Sequence, residues 1–280
     1  MNVRLLGTGA AEGIPALYCR CRVCEEAARI GGREVHTRSS VLIDGLVKVD
    51  HGPDTYAQKL KFGLDLGAVT TLLLTHAHED HFTPSELIWR GQHFVRSDGP
   101  APLGVFGNAT AEGWLAEHGA RYGLSLAEVC EELRIEFVPV APFISFDRGP
   151  YAIHPLKAEH DARQVALNYV VAGGGRAILV GFDTARYGEA AWEYLGGFRL
   201  DCLLMDCTFG RTPSVGREHM ALDDNVRVRD EMLRRGIIEP DARYVLTHIS
   251  HGGDALHGEL ADLAAQHGMV VAYDGMEIEV

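Results

Sequence analysis

The sequence predicts an α/β fold in which sheets pack on each other and helices cover the outside. Three features carry this expectation. Apolar strand-like runs alternate with amphipathic helical stretches along the chain. The runs fall into two strand-rich halves, each with helices of its own, the pattern of packed layers. No linker-like segment or repeat divides the halves, so residues 1–280 are expected to form one domain.

The elements follow in order. VRLLGTG is a short apolar run closed by glycines, hence a buried strand ending in a turn. Residues 13–38 show no period and hold a cysteine cluster, so an ordered loop is expected there. SSVLID and LVKVD flank Gly45 as a hairpin, and TTLLLTH, residues 70–76, is a buried strand. Pro84 to Arg96 has helical spacing with proline near its start, LGVFG (103–107) is a strand, and 110–122 a helix. IEFVPV, YAIHPLKA, VALNYVVA and RAILVGFD are four further strands, the last two joined by a turn at Gly173–Gly175. A short helix over 188–195, a strand DCLLMDC, an amphipathic helix from Asp223 to Arg235, a strand ARYVLTH, a helix over 254–267 and a closing strand MVVAYDG complete the chain.

Composition narrows the function classes. With 26 basic and 39 acidic side chains the formal charge is −13, which opposes nucleic-acid binding through a broad basic surface. A bound cation can still reverse the field inside one cleft and admit a small anionic substrate. At 46% hydrophobic and 23% charged the chain is globular in composition, without an apolar run long enough to span a membrane or a signal-peptide pattern, so a cytoplasmic protein is expected.

Chemistry concentrates in His76-Ala-His78-Glu-Asp80-His81, at the end of the strand TTLLLT. Alternating side chains of a strand point to opposite faces, so the chain must turn here, and a turn can aim both imidazoles at one point. Neutral imidazoles suit a borderline divalent ion such as Zn or Mn, and Asp80 and His81 offer an oxygen and a nitrogen to a second ion. A second cluster, Cys19-Arg-Cys21-Arg-Val-Cys24, supplies three thiolates of a structural zinc site whose fourth ligand must come from elsewhere. Cys130, Cys202 and Cys207 read as buried fillers.

THAHEDH resembles the H-x-H-x-D-H signature of the metallo-β-lactamase superfamily, and the later motifs follow in order: Asp50 in VKVDHG, His160 in KAEH, Asp183 in VGFDT and His248 in YVLTHIS. The resemblance implies an αββα four-layer sandwich with two active-site metals (Zn or Mn). His76, His78 and His160 would hold one metal, Asp80, His81 and His248 the other, with Asp183 bridging and Asp50, itself not a ligand, orienting the histidine loop from behind. By residue type alone His154 competes with His160, and Asp206 with Asp183. The cysteine cluster after GTGAAEGIP resembles the subgroup that includes the phosphoribosyl cyclic phosphodiesterases of the carbon–phosphorus lyase pathway (PhnP-like). There a Cys3His zinc ties an N-terminal loop to the final metal loop, which implies His251 as the fourth ligand.

His219 resembles a histidine that phosphodiesterases and transfer-RNA 3′-processing nucleases carry before a helix, although Glu218 stands where glycine is common. Asp80 and His219 are therefore the expected catalytic pair, with His219 the general acid. Arg38, Arg211 and Arg217 are candidate phosphate contacts. The expected function is a dinuclear metal phosphodiesterase acting on a small anionic phosphodiester, cyclic sugar and nucleotide phosphates included, with a homodimer left open. Three other readings stand beside it: a carboxyl-ester, thioester or lactone hydrolase; a transfer-RNA 3′-processing nuclease; and a non-hydrolytic protein resembling the pyrroloquinoline-quinone biosynthesis B protein. A di-iron oxidase is set aside because His78 stands where such proteins have a carboxylate.

Overall fold

The computed structural model describes residues 1–96, 98–214 and 218–280. The first half runs β1 (Asn2–Gly7), α1 (Arg22–Ile30), β2 (Ser40–Ile43), β3 (Val47–Val49), α2 (Thr55–Phe62), β4 (Thr71–Leu73), α3 (Pro84–Leu87), β5 (Leu103–Gly107), α4 (Ala109–Ala120), α5 (Leu126–Leu133) and β6 (Ile135–Pro139). The second runs β7 (Phe146–Arg148), β8 (Tyr151–Lys157), β9 (Leu167–Gly173), β10 (Arg176–Gly181), α6 (Glu189–Leu195), β11 (Leu200–Asp206), α7 (Leu222–Arg234), β12 (Ile238–Thr247), α8 (His257–Ala265), β13 (Val270–Val271) and β14 (Glu277–Glu279). One sheet has the order β14-β1-β2-β3-β4-β5-β6 and the other β13-β12-β11-β10-β9-β8-β7.

The strands read as nearly continuous apolar runs because both of their faces are buried. Leu5 belongs to the cluster between the sheets and Leu6 to the one under α4 and α5; Leu73 and its neighbours Leu72 and Leu74 divide in the same way. In the second sheet Leu204 faces inward, while Leu203 and Met205 join Trp192, Val228 and Leu260 beneath α6, α7 and α8. Three apolar layers thus separate four layers of backbone, the αββα sandwich.

The register places the chemistry. β3 and β4 run parallel, as do β10, β11 and β12, and β8 runs with β10 because both are antiparallel to β9. The segments following β3, β4, β8, β10, β11 and β12 therefore emerge at one edge of the sandwich, where ligands of open α/β sheets bind. They carry Asp50, His76–His81, His160, Asp183, Asp206 and His248.

Several elements differ from the sequence expectation. The expected cysteine loop over 13–38 contains α1, for which Cys21 is the N-cap; only Val23, Cys24 and Ala27 of its residues are buried, too narrow a stripe to read as a helix. Pro84–Arg96 yields only α3 and a 3-10 turn at Ile88–Arg90, with Gly91 ending it. MVVAYDG contributes two strand residues, and β14 closes the sheet beside β1 instead. α2, α5 and β7 were not expected.

Candidate functional site

Three residues at this edge hold the left-handed backbone conformation that non-glycine residues avoid: Asp50 (φ 60°), Asp183 (φ 47°) and His248 (φ 58°). Such strain persists only where the surrounding structure over-determines it, and it clusters at functional sites. Here it turns each side chain back across the ends of the sheets.

Five imidazoles converge on the edge, each with its outer nitrogen already engaged. His76 Nδ1 donates to Thr75 Oγ1 (3.0 Å) and His81 Nδ1 to Asp50 Oδ2 (2.6 Å). His248 Nδ1 donates to Thr208 Oγ1 (2.8 Å), His160 Nδ1 to the Glu218 carbonyl (3.2 Å), and His78 Nε2 to Asp161 Oδ2 (3.1 Å). These partners fix the tautomers, so that His76 Nε2, His78 Nδ1, His160 Nε2, His81 Nε2 and His248 Nε2 face inward as lone-pair donors. His78 Nδ1 lies 2.9 Å from His76 Nε2 and 3.2 Å from His160 Nε2.

His81 Nε2 lies 2.9 Å from both Asp80 Oδ2 and Asp183 Oδ2, and His248 Nε2 lies 3.1 Å from Asp183 Oδ2. All three of His81 Nε2, His248 Nε2 and Asp183 Oδ2 are buried without a hydrogen-bond partner. Donors ~2.0–2.2 Å from a tetrahedral ion stand about 3.3–3.6 Å apart, so close, unpaired nitrogens and oxygens of this kind fit divalent cations. His76, His78 and His160 form one group that could hold an ion, and Asp80, His81 and His248 another. Asp183 reaches towards both, with Oδ1 3.8 Å from His160 Nε2. Burial opposes protonation at His81, but the carboxylates of Asp183, Asp80 and Asp50 overcome it and hold its pKa well above the usual histidine range. Burial pushes His76 well below that range.

Asp206 is committed elsewhere. Its Oδ1 accepts from the amides of Thr208 and Met220, both at 3.0 Å, and its Oδ2 from His219 Nδ1 at 2.7 Å. His219 stacks on His248 (5.5 Å between centroids, 12° between planes) and meets His160 edge-on, and no hydrogen bond from a described residue engages its Nε2. Burial lowers its pKa, but the charge and hydrogen bond of Asp206, with the charges of Asp183 and Glu218, together raise it further, and the result is about 9. His154 lies apart, bound to Tyr194.

The cysteines gather with His251. Cys19 Sγ and Cys21 Sγ both lie 3.4 Å from His251 Nδ1, and Cys24 completes a group that could hold an ion. Sulfur and nitrogen on one tetrahedral zinc would stand about 3.6 Å apart. Backbone amides of Cys21 and Ala16 donate to Cys19 Sγ and Cys24 Sγ, as they would to thiolates. Burial resists ionisation of Cys21, but the Cys24 amide and His251 outweigh it and bring the thiol down to about 6. Glu12 lies against His251 Nε2 (3.5 Å) and accepts from Ser250.

A groove of about 950 Å³ opens beside His78 and Asp80 and is bordered by Arg38, Phe82 and the α4 residues Trp114 and Arg121. Arg38 is braced by Asp54 (3.2 Å) and the Ala11 carbonyl. Arg211 binds Asp254 at 2.8 Å, and Arg217 lies outside the described residues. A second cavity of about 950 Å³, floored by Lys48 and His51, borders none of the converging histidines. Sequence reading missed Thr75, Thr208 and Asp161, the outer partners of His76, His248 and His78. Their one signal was adjacency: Thr75 precedes His76, and Asp161 follows His160.

The architecture and this constellation define a metal-dependent hydrolase class. The chain belongs to the β-lactamase superfamily domain family, whose model matches residues 45–249. It is similar over its full length to a crystal structure described as a new diphosphatase from the PhnP family (TM-score 0.73, 23% identity, 100% of this chain and 98% of that one). It is 25% identical to coenzyme PQQ synthesis protein B of Acinetobacter baylyi over 100% of both chains. A match to octanoyltransferase of Porphyromonas gingivalis reaches 38% identity but spans 29% of this chain and only 16% of that protein. None of the described helices is long and apolar enough to cross a membrane.

Proposed function

We propose that the chain is a dinuclear metal phosphodiesterase acting on a small phosphodiester, cyclic forms included. His76, His78 and His160 hold one divalent cation, Asp80, His81 and His248 the second, and Asp183 reaches both. Bound there, Zn or Mn supplies an activated water and draws charge from the phosphoryl oxygens. Cys19, Cys21, Cys24 and His251 hold a structural zinc that pins the N-terminal loop to the segment carrying His248. The shared core between the sheets supports reading residues 1–280 as one domain.

The observation that carries phosphoryl chemistry is the Asp206–His219 pair at the rim of the histidine cluster. Asp206 holds Nδ1–H and stabilises the imidazolium, which leaves Nε2–H to protonate a departing alkoxide. Asp80, through its carboxylate, ligates a cation and takes the proton of the attacking water. Arg38 offers a guanidinium to a phosphate oxygen at the groove.

The test is His219→Ala on two leaving groups. Activity on an alkyl or cyclic ribose phosphodiester should fall on the order of 10²–10⁴-fold. Activity on bis-p-nitrophenyl phosphate, whose leaving group scarcely needs a proton, should largely remain. An equal loss on both would make His219 a binding residue. A protein that cleaves p-nitrophenyl acetate or a thioester but neither diester would be a carbonyl hydrolase. Full-length similarity supports a second reading, a coenzyme PQQ synthesis protein; under it all of these substrates remain intact.

A further inference from the structure

We propose that α4 supplies a nucleobase subsite, so that the substrate is a phosphodiester with a single nucleoside on one side of phosphorus. This inference rests on the phosphodiesterase reading.

The first observation is room. At about 950 Å³ the groove lies near the top of the range of ~300–1,000 Å³ that holds drug-sized ligands. A phosphoryl group carrying only a ribose would leave most of it to water. A nucleoside monoester occupies more of the groove, which His78 and Asp80 border together with α4.

The second is what lines the far wall. Ala111, Leu115 and Gly119 of α4 face the core, while Trp114, His118 and Arg121 lie along the adjoining flank at i, i+4 and i+7 and border the groove. Trp114 is half-buried: it packs against the core beneath α4 and also borders the groove that His78 and Asp80 line. An indole bordering a cleft is a surface on which a base stacks, and Arg121, paired with Glu117 at 3.1 Å, borders the same groove. Glu79 and Glu117 also border the groove and disfavour a long polyanion, which points to a mononucleoside and away from an RNA chain.

The third is rigidity. Asn108 caps α4 by accepting from the Ala111 amide, and its Nδ2 donates to Gln164 Oε1 (3.1 Å) and the Val165 carbonyl (2.8 Å). Gln164 Oε1 also accepts from the amide of Ala77, between His76 and His78 (2.9 Å). One side chain thus fixes the start of α4 to the histidine loop, so the distance from base to phosphorus is built in.

The experiment uses the metal-loaded protein and two substrates with one leaving group: thymidine 5′-(4-nitrophenyl phosphate) and methyl 4-nitrophenyl phosphate. The nucleoside diester should have the higher kcat/KM by roughly 5- to 150-fold, the span that ~1–3 kcal/mol of stacking gives. Trp114→Ala should bring the ratio towards one, and Trp114→Phe should restore much of it, with circular dichroism confirming that both fold. A ratio near one in the parent protein, or one unmoved in folded Trp114→Ala, overturns the subsite. If neither diester is cleaved, the phosphodiesterase reading fails while the subsite is still decided by tryptophan fluorescence. Quenching by thymidine 5′-monophosphate that disappears in Trp114→Phe upholds it, and no quenching overturns it.

Discussion

Replacing Asp206 by Asn tests the acid end of the site without changing its shape. Asp206 is fully buried, and both of its oxygens are occupied, one by His219 Nδ1 at 2.7 Å. The rise of His219 from 6.5 to about 9 corresponds to ~3 kcal/mol of preference for its imidazolium. Asp183 and Glu218 contribute less than Asp206, so most of this preference should go with the charge of Asp206. The sign follows from the role. A general acid must carry its proton, so activity on an alkyl diester is present below its pKa and lost as pH rises through it. Asp206→Asn lowers that pKa and moves the alkaline limb of kcat/KM to lower pH. Above both limbs the loss approaches the whole preference, on the order of 10²-fold for ~3 kcal/mol, and depends on the difference between the two pKa values alone. Cations bound nearby lower both values and keep their order. The assay is a pH profile on an alkyl and an aryl phosphodiester, with metal content measured in both proteins. An unchanged alkaline limb at normal metal content would refute the acid role and leave Asp206 as a brace for the Thr208 and Met220 amides.

Two more outcomes follow from the same geometry. Asp183→Ala should abolish hydrolysis and lower the metal content by elemental analysis, because its carboxylate faces both ligand groups; full activity with a normal metal content would show that it bridges nothing. Cys21→Ser should release one zinc and lower the melting temperature while the other two ions remain, since a structural zinc contributes directly to folding; an unchanged melting temperature and three retained ions would refute the Cys3His site.

The layered α/β fold was legible because doubly buried strands write themselves as apolar runs: TTLLLT and DCLLMD admit no half-exposed reading. The residues that converge at the edge were legible by type and order, since imidazoles and carboxylates at strand ends have few structural uses. What holds them was not. Nothing local in the sequence says that Thr208 engages His248, which needs parallel β11 and β12 in register, or that Asp206 serves His219, which needs the connection from β11 to α7 to fold back on the strand end. α1 escaped notice since its buried stripe is three residues wide, and the expected helix after Pro84 stopped short because α3 tightens into a 3-10 turn that Gly91 ends. The left-handed backbones of Asp50, Asp183 and His248 were not legible either: Asp and His adopt this geometry more readily than most side chains, but nothing in the sequence marks which of the chain's many Asp and His residues do so.

The central claim is a pair of catalytic cations on the histidine cluster, serving phosphoryl transfer. The most direct measurement is elemental analysis before and after mild chelation, coupled to hydrolysis of bis-p-nitrophenyl phosphate, p-nitrophenyl acetate and a thioester. The account predicts three ions per chain, loss of two together with diester hydrolysis, recovery on adding Zn or Mn, and weak action on the carbonyl substrates throughout. Diester hydrolysis that survives removal of both ions, or a fully loaded protein that cleaves only the carbonyl substrates, would contradict it.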